Sequence, residues 1–215
     1  IPVMLDEPTG YNVSRFFAEK SVSKTLRAAK RTLTITKDSK LLWTSVIQGG
    51  THIDLVEKCA AREAKMPFQM YALGSPTELM ESYDFIQLAR MIHGAKKNLP
   101  LDKPFHLFGA GHPLTLPMAV ALGCDLFDSA SYVLYARREK YMTESGTVSL
   151  NRLRSLPCLC NVCMTHSLKE IREVSPIERE RLLGLHNLYV LQREMKIIRE
   201  AIAEGRLWEY VLTKA

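Results

Sequence analysis

The chain has 215 residues, of which 47% are hydrophobic, and it carries a formal net charge of +6. This is enough for one sizeable core, and because no apolar run reaches about 18 residues we expect no transmembrane helix and no membrane partner. The mild basic excess fits a polyanionic partner such as RNA, although many proteins without one are equally basic.

Short apolar runs alternate with helical patterns over residues 1–130. Strands are predicted at 1–6, 41–50, 68–75, 103–113 and 124–130. Helices are predicted between them at 14–37, 52–65, 77–97 and 114–123. Ser14 and Thr77 stand where N-caps are expected. Repeated strand–helix units predict a parallel sheet, either doubly wound or closed into a barrel.

The pattern changes after residue 130, which divides the chain into 1–130 and 131–215. Residues 131–157 look irregular, and a stretch rich in cysteine follows. A long helix is then predicted over 176–212, with Pro176 suited to its first turn. The second part therefore combines a loop region with closing helices.

Polar residues and glycines stand where the predicted strands end. Asp6, Gln48, Gly74 and Asp128 each stand at or near the end of a predicted strand. The carboxyl ends of parallel strands share one rim, which holds the active site in barrels. At this rim a carboxylate could accept hydrogen bonds from the N–H groups of a base, or attack as a nucleophile. A glutamine amide could hydrogen-bond an amide edge, and a glycine would let a flat ligand approach the backbone. The alternative is that these residue types end strands only because turns favour them.

The stretch LPCLCNVCMTH concentrates three of the five cysteines, Cys158, Cys160 and Cys163. The odd number of cysteines and the start IPVMLDEPTG, which lacks signal-peptide regions, indicate a reducing compartment, the cytoplasm. A metal site is then favoured over disulfides or free thiols. Structural zinc takes four ligands, so His166 or His186 should complete the set. We favour His186, because a ligand on the long helix would tie the loop to it.

Seven stretches together resemble one family, the tRNA-guanine transglycosylases. They are LDEPT, VIQGG, ALGS, HLFGAGHP, GCDLFDSASY, CLCNVC and LLGLHNLYV. They occur in the family's order and cover nearly the whole chain. The stretch FDSASYVLYARREKYMT resembles the archaeal branch in particular.

The resemblance implies a fold and a reaction. The fold would be part of a (β/α)8 TIM barrel, about five C-terminal βα units, with a zinc-binding insertion and C-terminal helices. The reaction would be exchange of guanine in the D-arm of tRNA for 7-cyano-7-deazaguanine, on the pathway to archaeosine. The implied partners are tRNA and the 7-deazaguanine base.

The resemblance also assigns roles to single positions. Asp128 matches the family's nucleophile, which forms a covalent aspartyl–RNA intermediate. Asp6, Gln48 and Gly74 match residues that bind the heterocycle. The implied ligands of a structural Zn²⁺ are Cys158, Cys160, Cys163 and His186.

The chain departs from the family in what precedes its first strand. Members begin with three further barrel strands, the last of which carries an aspartate used as general acid and base, and nothing in this chain matches them. The chain is then one subunit of a split enzyme, a fragment, or a degenerate homologue. We expect a second chain that carries the missing strands, or a homo-oligomer.

Two other functions compete with the transferase. One is a non-catalytic accessory subunit that binds tRNA or a partner transglycosylase chain. The other is an unrelated parallel α/β enzyme with a zinc knuckle. Retention of Asp128 together with Gln48 favours the enzyme, since an accessory subunit has no physical need for an acid at the rim.

Overall fold

A computed structural model describes residues 1–214. Its contacts group the chain into two compact units. The first comprises residues 1–110 and 122–128, and the second comprises 111–121 and the residues from 129 onward. The division predicted at residue 130 stays a prediction, and the two units are described separately.

The first unit is built on a parallel sheet. Its strands, in spatial order, are β1 (Thr44–Ile47), β2 (Met70–Leu73), β3 (Phe105–Leu107) and β4 (Leu126–Phe127). These strands are shorter than predicted. The predicted strand at 1–6 is wrong as a full strand, because it contributes only a parallel bridge from Val3 to Thr44. The parallel sheet with intervening helices confirms the α/β class.

The register of the sheet aligns the carboxyl ends of its strands. Ile47 pairs with Leu73, Leu73 with Leu107, and Leu107 with Phe127. The last residues of all four strands therefore lie in one row. Whatever follows each strand emerges along the same edge of the sheet.

Four helices accompany these strands: α1 (Arg15–Ile35), α2 (Ile53–Glu63), α3 (Thr77–Glu81) and α4 (Phe85–Lys96). The first precedes β1, α2 connects β1 to β2, and α3 and α4 connect β2 to β3. Ser14 is confirmed at the N-cap position of α1, without a side-chain hydrogen bond. The single helix predicted over 77–97 is wrong: Tyr83 has a φ of 58° between α3 and α4, and the side chain of Asp84 starts α4 by accepting from the N–H of Gln87. Thr77 is also no N-cap, because α3 begins at it.

The core of the first unit lies between the sheet and its helices. All residues of β1 and β2 are buried, as expected for strands of a parallel sheet covered by helices. This core also contains an ionisable side chain, because Glu63 at the end of α2 is fully buried. Its Oε2 accepts from the hydroxyl of Ser45 at 2.5 Å, and its Oε1 has no hydrogen-bond partner.

The second unit is mostly helical. Its helices are α5 (Thr115–Ala121), α6 (Ser131–Arg137), α7 (Asn161–Thr165), α8 (Leu168–Glu173), α9 (Pro176–Ala203) and α10 (Leu207–Leu212). An antiparallel hairpin of β5 (Lys140–Thr143) and β6 (Gly146–Ser149) lies between α6 and α7. The expectation that 131–157 is irregular is therefore wrong. The helix predicted over 176–212 is interrupted after Ala203, where Gly205 adopts a φ of 70°.

Local signals explain where the helices of this unit begin. The side chain of Ser167 accepts from Glu170 N, and the Glu170 carboxylate accepts from Ser167 N, which is a capping box at the start of α8. Ser175 caps α9 through its side chain, and the prediction that Pro176 occupies the first turn is confirmed. Buried side chains from the hairpin, the turn that follows it, α7, α8 and α9 form one core, which includes Tyr141, Leu150, Val162, Ile171, Leu182 and Leu183. None of the helices described between residues 1 and 214 combines the length and the hydropathy of a membrane span.

Candidate active site and metal centre

Gln48 follows β1 and is the centre of a hydrogen-bond network at the edge where the strands end. Its side chain is 1% exposed. Oε1 accepts from the N–H of Thr9 at 3.0 Å and from the hydroxyl of Ser75 at 3.1 Å. Nε2 donates to Oδ2 of Asp6 at 2.6 Å. The structure thus brings together two of the predicted base-binding residues, Asp6 and Gln48, in direct contact.

Gly74 follows β2 and lies against this amide. A Cβ at this position would lie 2.2 Å from Nε2 of Gln48, so any larger residue would force the amide to move. Its own N–H donates to Ile47 O at 2.9 Å and is used within the sheet. Gly74 therefore supplies space at the rim rather than a free donor.

Sequence reasoning missed two members of the network, Thr9 and Ser75. Ser75 adopts a φ of 62°, a left-handed conformation that favours glycine. Its hydroxyl contact with Gln48 compensates for part of that strain. The LGSP stretch carried this signal, whereas nothing near Thr9 pointed to Gln48.

Asp128 follows β4 at the same edge, and its side chain is 61% exposed. The N–H of Gly109, a residue with a φ of 71° just after β3, donates to its Oδ1 at 3.1 Å. Nε2 of His106 lies 2.9 Å from the same oxygen, although the two are not aligned for a hydrogen bond. A backbone donor and an imidazole thus flank an otherwise accessible carboxylate, which suits a nucleophile.

The second unit brings the predicted metal ligands together. Cys158, Cys160, Cys163 and His186 place their ligand atoms within 4.8 Å of one another. Nδ1 of His186 lies 3.4 Å from Sγ of Cys160 and 3.5 Å from Sγ of Cys163. With Zn–S near ~2.3 Å and Zn–N near ~2.0–2.1 Å, a tetrahedral ion separates these atoms by about 3.6 Å. The four residues therefore fit zinc in both identity and spacing.

Burial and hydrogen bonding prepare His186 for a metal. Its Nε2 donates a hydrogen bond to the carbonyl of Met142 at 2.9 Å, so that Nδ1 carries no proton and faces the sulfurs. Burial lowers the pKa of His186 to about 4, so the imidazole is neutral, as a ligand must be. The alternative histidine, His166, lies outside the group, with its Nδ1 2.9 Å from the hydroxyl of Thr165.

The sulfurs are prepared in a complementary way. Burial raises the pKa of Cys163 to about 12 and also raises the pKa of Cys158. Neither thiol would ionise by itself near neutral pH, whereas a bound dication converts such thiols to thiolates. Three thiols and one imidazole leave no position open, which is typical of a structural site.

These features define a class of protein: an α/β protein with a carboxylate at the end of a parallel strand and a separate Cys3His group. Residues 1–215 match the family described as queuine tRNA-ribosyltransferase. The chain belongs to this family, which confirms the resemblance of its seven stretches.

Three archaeal proteins illustrate the similarity. The chain is 48% identical over 210 residues to a tRNA-guanine(15) transglycosylase of Aeropyrum pernix, covering 97% of this chain and 41% of that relative. It is 46% identical to the protein of that name from Sulfolobus acidocaldarius, covering 100% of this chain and 44% of the relative. For the Methanocaldococcus jannaschii protein the identity is 44%, covering 98% and 33%. The chain thus spans less than half the length of these relatives.

Proposed function

We propose that this chain carries the nucleophile of a tRNA-guanine transglycosylase that exchanges guanine in the D-arm of tRNA for 7-cyano-7-deazaguanine. The observation that carries the proposal is Asp128, an exposed carboxylate in the same row of strand ends as Gln48 and Gly74. The names of the archaeal relatives support the same activity.

The proposed reaction has two displacements at C1′ of the target ribose. A carboxylate oxygen of Asp128 attacks C1′ as the bond to guanine N9 breaks, and the electron pair of that bond leaves with guanine, which takes up a proton. The deazaguanine then attacks C1′, loses its N9 proton and releases the carboxylate. Charge develops on the ribose in each transition state, and a carboxylate both stabilises and traps it. The Gly109 N–H holds the carboxylate in place.

The hydrogen-bond capacity of Gln48 limits how it reads the base. Its oxygen already accepts two hydrogen bonds, and one of its two amide hydrogens is donated to Asp6. One N–H therefore remains for a carbonyl of the heterocycle. Asp6 retains acceptor capacity for the N–H groups of the base, and its contact with Gln48 fixes the spacing between donor and acceptor.

The proposal includes further strands, because four parallel strands do not close a barrel. We propose that the parallel sheet is part of a (β/α)8 barrel and that the remaining strands carry the group that protonates guanine. They would come from the same polypeptide or from a second chain, with a homo-oligomer as a further possible assembly. The parallel bridge between Val3 and Thr44 supports this proposal, because it extends the pairing past the edge strand β1.

The Cys3His group has a structural role in this proposal. Zn²⁺ bound to Cys158, Cys160, Cys163 and His186 would join the segment around α7 to helix α9 and would supply no reactive position. A reducing cytoplasm, which keeps these thiols available, is part of the same proposal.

The decisive experiment looks for a covalent RNA adduct. The chain is incubated with archaeal tRNA, either alone or with a polypeptide that carries the remaining barrel strands, and is run on a denaturing gel. In the mixture with the remaining strands, a species containing both protein and RNA should form with the wild type and be absent with Asp128→Ala. Asp38→Ala, which removes an exposed carboxylate in the first unit, is the matched control and should form the adduct.

Three results would contradict parts of the proposal. Guanine exchange at the wild-type rate by Asp128→Ala would exclude this residue as the nucleophile. Binding of tRNA without any adduct or exchange, in the presence of the remaining strands, would instead indicate the accessory subunit. Full exchange by the chain alone would exclude the need for further segments.

A further inference from the structure

Tyr141, on strand β5, contacts two members of the Cys3His group at once. Its ring stacks on the imidazole of His186, with the centroids 3.7 Å apart and the planes 16° from parallel. Its hydroxyl oxygen lies 3.3 Å from Sγ of Cys163. The residue is 1% exposed, so its ring cannot turn away without opening the core.

The next residue along the strand completes this arrangement. The carbonyl of Met142 is the group that accepts from Nε2 of His186. Two consecutive residues of one strand thus contact the metal-facing groups by stacking, by a carbonyl and by a hydroxyl. Groups around a metal that hold its ligands in this way set ring orientation and ligand basicity.

Asn187 fixes this strand against helix α9. Its Oδ1 accepts from Met142 N at 2.9 Å, and its Nδ2 donates to Lys140 O at 3.1 Å and to Tyr132 O at 3.0 Å. The side chain is fully buried and uses the oxygen and both amide hydrogens on backbone groups. Because Asn187 directly follows His186, the same turn of α9 carries a metal-facing residue and the residue that anchors its support.

The direction of the hydroxyl contact follows from chemistry. A metal-bound Cys163 is a thiolate, which has no proton to give, so Tyr141 must be the donor. A hydrogen bond to a thiolate draws electron density from the sulfur. The sulfur then reacts more slowly with electrophiles and oxidants while it stays bound to the metal.

We propose that Tyr141 is a positioning residue of the metal centre, whose hydroxyl donates to the Cys163 thiolate and whose ring orients His186. This inference rests on the proposed zinc site but not on the proposed transferase reaction. It goes beyond the four ligands, because it assigns the protection of a ligand sulfur to a residue outside them.

The test removes only the hydroxyl, with Tyr141→Phe, in the full chain loaded with Zn²⁺ or with Co²⁺ as a spectroscopic probe. The sulfur-to-cobalt charge-transfer absorption should shift to longer wavelength, because the sulfur becomes more electron-rich. Alkylation of the Zn²⁺-loaded protein by iodoacetamide should become several-fold faster. Competition with a chelator should show that the Zn²⁺ affinity falls about tenfold, which is the low end of the loss typical when a residue that contacts a metal ligand is removed.

Tyr189→Phe is the matched control. Tyr189 is on helix α9, lines the same surface cavity as Tyr141, and loses the same single oxygen. Its cobalt spectrum and alkylation rate should equal those of the wild type. If Tyr141→Phe also equals the wild type while binding the metal, the inference is overturned and the metal site stands. If the wild type binds neither ion, the metal site itself is overturned, and the inference with it.

A second measurement needs no variant and covers the case in which Tyr141→Phe does not fold. In wild-type protein loaded with ¹¹³Cd²⁺, a hydroxyl proton hydrogen-bonded to a ligand sulfur should exchange slowly and couple to the cadmium nucleus through that sulfur. Observation of this coupling for Tyr141 supports the inference. A rapidly exchanging, uncoupled hydroxyl overturns it.

Discussion

Substitution of Gly74 by alanine tests the network around Gln48. The added Cβ would lie 2.2 Å from Nε2 and 2.8 Å from Cδ of Gln48, so the amide must move. Three hydrogen bonds are then strained or lost, those to Thr9, Ser75 and Asp6. Each neutral bond contributes about 1 kcal/mol and the bond to the carboxylate about 1.5–3 kcal/mol. Because part of the network can re-form, we expect a loss of roughly 2–4 kcal/mol in the free energy of unfolding.

Gly184→Ala provides a control with the opposite sign. Gly184 lies within helix α9, where the nearest contact of an added Cβ is Ala136 Cβ at 3.9 Å, an ordinary packing distance. Alanine in a helix interior is more stable than glycine by roughly 0.5–1 kcal/mol. The same chemical change should therefore destabilise one unit and stabilise the other.

The two tryptophans allow each unit to be followed in a urea titration. Trp43 belongs to the first unit and Trp208 to the second, so Trp208→Phe leaves fluorescence that reports the first unit alone. In that background Gly74→Ala should lower the urea midpoint, and it should weaken binding of the deazaguanine more than binding of tRNA. A midpoint equal to that of the parent protein would refute the argument that Gln48 is held against Gly74.

Three further predictions concern stability. Burial raises the pKa of Glu63 to about 7 from 4.5. Between these two values the folded protein keeps the carboxyl proton of Glu63 while the unfolded chain loses it. The free energy of unfolding should therefore fall as pH rises from 4.5 to about 7 and level off above that. Glu63→Gln should flatten the urea midpoint between pH 5 and 8, and an unchanged slope would contradict the assignment. Ser75→Ala and Ser75→Gly both lose the hydroxyl, but only alanine keeps a Cβ on the left-handed backbone. Ser75→Ala should therefore unfold about 1 kcal/mol more readily than Ser75→Gly, and equal stabilities would exclude strain at this position. Chelation of the metal should lower the unfolding temperature reported by Trp208. His186→Ala should make that temperature insensitive to chelator, whereas His166→Ala should respond as the wild type does.

The sequence by itself determined the α/β class, the places where most strands end and the composition of the metal group. Apolar runs that stop at Gln48, Gly74 and Asp128 are local signals, because a buried strand must end where the chain turns to polar or glycine residues. The spacing of Cys158, Cys160 and Cys163 is also local. A knuckle that presents three sulfurs is encoded within six consecutive positions.

Other features had no clear local signal. The strands of the hairpin β5–β6 are four residues each, too short for an alternating pattern to stand out, and packing against α9 through Asn187 supports them. The break between α3 and α4 depends on the left-handed conformation of Tyr83, and a tyrosine gives no indication of that conformation in the sequence. Neither could be read from periodicity.

Only the tertiary structure decided which contacts form across long separations in the chain. Gln48 bonds to Asp6, 42 residues earlier, because the register of the first bridge sets the two side by side. His186, rather than the nearer His166, joins the cysteines, because α9 packs beside α7 and turns one face toward the sulfurs. Spacing along the chain predicts which residues of one loop can bind the same metal ion. It does not predict which residue of another helix or strand joins them, because that distance is set by packing that the local sequence does not encode.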